Sequence, residues 1–196
     1  MKYLKMLGLA AVAAMALMAF AGPASATQLT APAGTVVKTG TVIHATLKSK
    51  NSALLSDTSG FIQNTCTIST VSGKTSNESG ATITGNIEAL TFESCTRPTK
   101  TLKLGTLHIA TNGTVTGSGS EVETEVAGGG ICVYGTGTGT HLGTLTNAAS
   151  ATSHASLVIN AVLPLKETIS GFCTSDARWK AEYTVTSPTG LMYDNV

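Results

Sequence analysis

Between Gly130 and Thr146 the side chains alternate with a period of two. Ile131, Val133, Gly135, Gly137, Gly139 and Leu145 share one face, and Cys132, Tyr134, Thr136, Thr138, Thr140, Thr144 and Thr146 share the other. This is strand periodicity, because successive side chains of a β-strand point to opposite faces. Three glycines on one face leave a strip with nothing to pack, so a neighbouring strand with large side chains is expected to lie across it. Arg178 to Thr186 supplies such a strand: Trp179, Ala181, Tyr183 and Val185 on one face, Arg178, Lys180, Glu182 and Thr184 on the other. Cys173, just upstream, is placed to bond to Cys132.

The N-terminus has a different character. Lys2 and Lys5 precede an apolar run from Met6 to Phe20, followed by Gly22, Pro23 and Ala24-Ser25-Ala26. That is the three-part pattern of a secretory signal peptide with an A-x-A cleavage site, and the apolar run is shorter than the ~20 residues that span a bilayer. The expectation is a signal peptide over 1–26, a single domain over 27–196, a secreted or cell-surface location and no membrane span after cleavage. Without Lys2 and Lys5 the 12 basic residues become 10 against 11 acids, a net charge of −1. No basic patch supports nucleic-acid binding.

Four cysteines, all beyond residue 26, point to two disulfides formed in an oxidising compartment. Three connectivities are open. Nearest pairing, Cys66 with Cys95 and Cys132 with Cys173, is preferred because each pair brackets a run of strand-like segments. Each bridge would contribute roughly 3 to 4 kcal/mol by the loop-entropy model. Zinc is disfavoured, as no C-x-x-C or clustered Cys/His spacing occurs.

The 33 Thr and 21 Gly favour strands and turns over helices. Phe61 to Thr75 and Ala81 to Cys95 read as a long hairpin with the first bridge across its open ends, and a parity switch near Glu88 or Ala89 predicts a β-bulge. Asn112-Gly113 is a strong hairpin turn. Ala155, Leu157, Ile159, Ala161 and Leu163 alternate until Pro164, which is expected to end that ladder. The fold expected is all-β: an antiparallel β-sandwich, or flattened barrel, of about ten strands, stapled by disulfides. An immunoglobulin domain fits poorly, because Trp179 follows Cys173 instead of lying between the cysteines.

Few residues name a chemistry. His141 and His154 could ligate a metal only as cross-strand partners, which needs an odd register sum; matching the apolar faces of their strands needs an even one. Glu121, Glu123 and Glu125 are candidate calcium ligands, set against the reading of a charged strand face that deters edge pairing. The Thr136, Thr138, Thr140 row resembles the T-x-T face of ice-binding solenoids, but no repeat supplies the stacked rungs. There is no G-x-S-x-G elbow, and Asp57, Asp176 and Asp194 sit in presumed loops, so no catalytic residue and no cofactor is assigned. Among the aromatic residues, Trp179 and Tyr183 read as core, leaving Tyr134 and Tyr193 as candidates to stack on a ligand.

The wording Ile131-Cys132-Val133-Tyr134-Gly135-Thr136-Gly137-Thr138, Cys173-Thr174-Ser175-Asp176-Ala177-Arg178-Trp179 and Ala181-Glu182-Tyr183-Thr184-Val185-Thr186-Ser187-Pro188 resembles exported, function-unassigned β-rich proteins of actinobacteria. The resemblance implies export and a β fold, with no activity or site. A looser similarity, in Thr/Ser/Gly richness, export and cysteine placement, is to small secreted proteins named as activators of alkane oxidation. The function expected is a non-catalytic surface or extracellular module that binds a glycan or a protein partner through loops or an exposed sheet face. Two alternatives stand beside it: a secreted hydrolase with a loop-built site, and a structural envelope protein that self-associates by strand edges.

Overall fold

The computed structural model describes residues 27–32, 34–57, 63–76 and 82–195. The expected signal peptide, Phe61 and the turn at residues 77–80 lie outside them. Among the described residues there is no helix. The strands are β1 (Thr27–Thr30), β2 (Val42–Leu47), β3 (Ala53–Ser56), β4 (Gln63–Thr75), β5 (Thr82–Cys95), β6 (Thr99–Lys103), β7 (Thr106–Ala110), β8 (Thr114–Ser118), β9 (Glu121–Glu125), β10 (Ile131–Gly135), β11 (Thr140–Thr146), β12 (Ser156–Ser170), β13 (Asp176–Ser187) and β14 (Met192–Asn195).

Twelve of these strands form one antiparallel sheet, and its ladders return to their start. β7 and β6 pair with β8 and β9, which pair in turn with β11 and β10. Both of the latter pair with the long β12, then β12 with β13, β13 with β2 and β3, and these two with β4. β4 and β5 complete the circuit to β7. Taken as continuous paths, eight antiparallel strands follow one another around a ring, and β1 and β14 form a small sheet of their own. About ten strands are expected and fourteen form among the described residues, arranged as an irregular antiparallel barrel in which several paths are broken in the middle.

One seam interrupts the ring. The β5–β7 ladder ends at Asn86 and Thr106, after which Ile87 N–H donates to the Gly105 carbonyl at 2.9 Å. Beyond that point β5 and β6 have no ladder, and Thr101 Oγ1 donates to the Leu90 carbonyl at 2.7 Å instead.

Alternation places the apolar side chains inside the ring. Leu157, Ile159, Ala161 and Leu163 of β12 and Ala177, Ala181, Tyr183 and Val185 of β13 are buried, while Arg178 and Lys180 face solvent. A transmembrane barrel has the reverse pattern, apolar outward and polar inward. No helix among the described residues is long and apolar enough to cross a membrane. Leu29 of β1 and Leu191, just before β14, belong to the same core, both almost fully buried.

Several local expectations hold. Cys66 bonds to its cross-strand partner Cys95, and Cys132 bonds to Cys173. Ser72 opposes Ala89 and Gly73 opposes Ile87, so Glu88 is the extra residue of a β-bulge. The partner strand comes so close there that a Cβ on Gly73 would sit 2.5 Å from the Asn86 carbonyl oxygen.

Others are corrected. Residues 130–146 are not one strand: β10 ends at Gly135, Gly139 turns the chain at φ +66°, and β11 resumes at Thr140. The Trp179 strand does not lie across these glycines. It pairs with β12, β2 and β3, and its large residues fill the ring interior. Gly135 is needed for another reason, since a Cβ there would meet the Ser120 carbonyl oxygen at 2.5 Å. Pro164 does not end β12, which runs on to Ser170. Leu165 N–H reaches the Ser175 carbonyl on the β13 side, so the alternating backbone turns Pro164 nitrogen toward the gap between β10 and β11, where no ladder bond is lost.

Candidate functional site

Inside the ring the apolar side chains leave two cavities. The first, about 60 Å³, is bounded by Leu90, Phe92, Tyr134, Leu163, Trp179 and Tyr183 among others. The second, about 100 Å³, lies toward the β1–β14 end, among Leu29, Ile43, Ile83, Val115, Leu145 and Leu191. Val71, Ile87, Leu107 and Leu157 line both, so a single tier of aliphatic side chains separates them. Both linings are almost wholly apolar.

Aromatic residues organise the first cavity. Trp179 meets Phe92 edge-on at 6.1 Å and 70°, and Tyr183 at 6.3 Å and 76°. These are favourable edge-to-face geometries. The Tyr183 hydroxyl is bonded to Ser69 Oγ at 2.8 Å, and Ser69 Oγ donates to the Thr91 carbonyl. Burial pushes the Tyr183 phenol up to about 12, partly offset by the Ser69 bond. By contrast, the Trp179 indole N–H is buried and has no hydrogen-bond partner. A buried donor left unpaired costs about 1 to 3 kcal/mol.

At the seam end, Asn64 forms a satisfied polar cluster. Its Nδ2 donates to Thr124 Oγ1, Thr99 Oγ1 and the Arg97 carbonyl, and its Oδ1 accepts from Arg97 N–H and the Thr96 hydroxyl. Nothing in the alternation of residues 63–75 marked it, because an inward Asn breaks the apolar pattern without naming its partners.

The candidates read from sequence fall elsewhere. Tyr134 is fully buried, with its hydroxyl bonded to Thr174 and its pKa raised chiefly by burial. It is a wall of the first cavity and not an exposed stacking face. Tyr193 packs against the core beside Gly113, and its backbone is held by Asn147. Glu121, Glu123 and Glu125 face Lys103, Lys100 and Arg97 at 2.9, 2.9 and 3.9 Å, a row of ion pairs from β9 to β6 and to Arg97 just before it. Among the described residues no group of three or more His, Cys, Asp or Glu is placed to hold a metal.

The β11–β12 register has the even sum that the apolar faces require, with Leu145 opposite Leu157. That register keeps His141 and His154 from facing each other: on its other side His141 opposes Thr116 of β8, and His154 bonds through Nδ1 to the Val185 carbonyl. His108 Nδ1 lies 3.1 Å from Thr84 Oγ1. Thr136 and Thr140 are used locally, accepting from the backbone N–H of Ser120 and Gly137.

Outside the ring, a shallow groove of about 570 Å³ runs over β12 and β13 beneath the β2–β3 connection, with Lys50, Asn51, Asn160 and Lys180 along it. Glu182 beside it is held below the usual carboxylate range, first by its hydrogen bond to Lys48.

No protein-family model, curated protein or solved structure matches the chain. The chemistry of the cavities and of the groove is what distinguishes possible functions. The two disulfides fit a protein of a non-cytoplasmic, oxidising compartment.

Proposed function

We propose that this is an exported, non-catalytic binding protein whose ligand is a small apolar molecule held inside the ring. The observation that carries the reading is the pair of adjoining apolar cavities inside a ring of strands that is paired all round except at the β5–β6 seam. Eight-stranded barrels have interiors either just filled by side chains or able to hold one small ligand. The combined space is of the order of the ~150 Å³ apolar cavity known to stay dry and take benzene. Ring closure also pairs most of the strand edges that self-association would use, which weighs against a structural envelope role.

Titration of residues 27–196 with benzene and with hexane tests the reading. Binding to the folded state raises the thermal midpoint with ligand concentration and shifts the methyl resonances of Val71, Ile87, Leu107 and Leu157. Unchanged methyl resonances and an unchanged midpoint at saturating hydrocarbon would overturn it.

A second reading, binding of a cell-surface glycan or protein at an outer sheet face, is supported by the groove with Lys50 and Lys180 at its rim. Loss of binding to cell-wall preparations on Lys180→Glu, with the interior titration unaffected, would favour it.

A further inference from the structure

The wall of the ring is weakest beside the first cavity. Two groups of bonds fix the ends of the β5–β6 seam. At one end Ile87 N–H donates to the Gly105 carbonyl, and at the other the Asn64 amide ties Thr99 of β6 to Thr96 and Arg97. Between these ends, among the described residues, one hydrogen bond crosses from β6 to β5, that of Thr101 Oγ1 to the Leu90 carbonyl. By contrast β4–β5 and β12–β13 are laddered along their length. Both lips of the seam line the first cavity, Leu90 and Phe92 on the β5 side and Thr99 on the β6 side. Leu102 of β6 and Leu104 just after it are 41 and 45 % exposed, so apolar side chains stand in water on the strand that forms one lip.

We infer that the seam is the portal of the interior site. A small apolar guest collects on Leu102 and Leu104, the Thr101–Leu90 bond breaks, and β5 and β6 part between their two fixed ends to admit it to the first cavity. The inference rests on the interior-binding reading and adds to it the route and the surface that receives the guest. Parting a laddered boundary would break several backbone bonds at once and leave each donor and acceptor beside an apolar interior, whereas the seam gives up one bond. Because both ends stay tied, the opening is short and suits small apolar molecules.

The test uses benzene, with its exchange into and out of the interior read from the methyl resonances of Val71, Ile87, Leu107 and Leu157. Thr101→Val removes the hydroxyl that latches the seam, and Thr144→Val, at an exposed position of β11, is the control. A latch changes the barrier and not the bound state. Thr101→Val should therefore raise the association and dissociation rates together, by roughly three- to tenfold, and leave the dissociation constant within about twofold. Leu102 is exposed, so Leu102→Ser leaves the fold intact and should slow both rates by roughly twofold or more, as the passing guest loses an apolar contact. Unchanged rates in Leu102→Ser, or an equal rise in Thr101→Val and Thr144→Val, would overturn the portal and leave interior binding standing. If benzene perturbs no methyl group, interior binding itself fails and the portal with it. The Leu102→Ser measurement decides the matter even if Thr101→Val folds poorly.

Discussion

The side-chain amide of Asn64 donates to Thr124 Oγ1 at 2.8 Å, joining β4 to β9, two strands that are not neighbours in the ring. The bond bridges the seam where β5 and β6 have no ladder, and with Thr99 and Arg97 it replaces backbone pairing by side-chain pairing.

Asn64→Ala should therefore cost about 2 to 3 kcal/mol, since it strands buried partners and not merely one bond. The check is a lower urea midpoint with an unchanged slope. A loss below about 0.5 kcal/mol, the scale of ordinary surface substitutions, would mean that the seam is held by other contacts.

Tyr183 should give the protein a stability limit at alkaline pH. Its phenol titrates near 10 in the unfolded chain and near 12 in the folded one, so between those values the unfolded state has released a proton that the folded state retains. Stability is fully present below pH 10 and falls as pH rises toward 12, by about 2 to 3 kcal/mol. Tyr134, shifted in the same direction, adds to the fall. Tyr183→Phe should lose about 1 kcal/mol at neutral pH and show a shallower alkaline decline, as measured by urea unfolding from pH 8 to pH 12.

Gly113 closes the β7–β8 turn at φ +78°, and a Cβ there would meet the Leu145 carbonyl oxygen at 2.6 Å and the Tyr193 hydroxyl at 2.5 Å. Gly113→Ala should cost about 2 to 3 kcal/mol from backbone strain and collision together. Gly119, at φ +76°, has open space around it, so Gly119→Ala should cost only about 1 kcal/mol. Equal losses in the two variants would show that collision contributes nothing.

The glutamate row should not respond to calcium. Each of Glu121, Glu123 and Glu125 already faces a cation of β6 or the residues before it. Millimolar calcium should leave the thermal midpoint unchanged, and Glu123→Gln should change stability by less than about 1 kcal/mol, because the lysine end of the pair is exposed to solvent. A rise in the midpoint with calcium would reinstate the metal reading.

What could be read in the residues was local. The Cys66–Cys95 hairpin, the bulge at Glu88 and the Asn112-Gly113 turn all depend on residues close in sequence. The choice of neighbour did not show. Alternation assigned Trp179 a face without saying which strand it would adjoin, so the ring closure onto β2 and β3 was invisible. Tyr134 shares its strand face with Thr136 and Thr138, which carries no sign of burial, but the connection carrying Thr174 folds over it. The unpaired indole could not be foreseen either, because a missing bond has no sequence pattern.

Ring closure also orders the events by which this chain acquires its shape. The bonds that shut the circuit join Val185 to Ala45 and Trp179 to Leu55, residues from opposite ends of the described chain. Each hairpin along the meander can zip from its own turn, but the interior becomes sealed only when the last long strand finds the first. Until then both cavities are an open trough exposed to water. Folding dominated by such distant pairings belongs to the millisecond-to-second class, so the meeting of strands far apart in sequence sets the pace at which the interior is shut off from water.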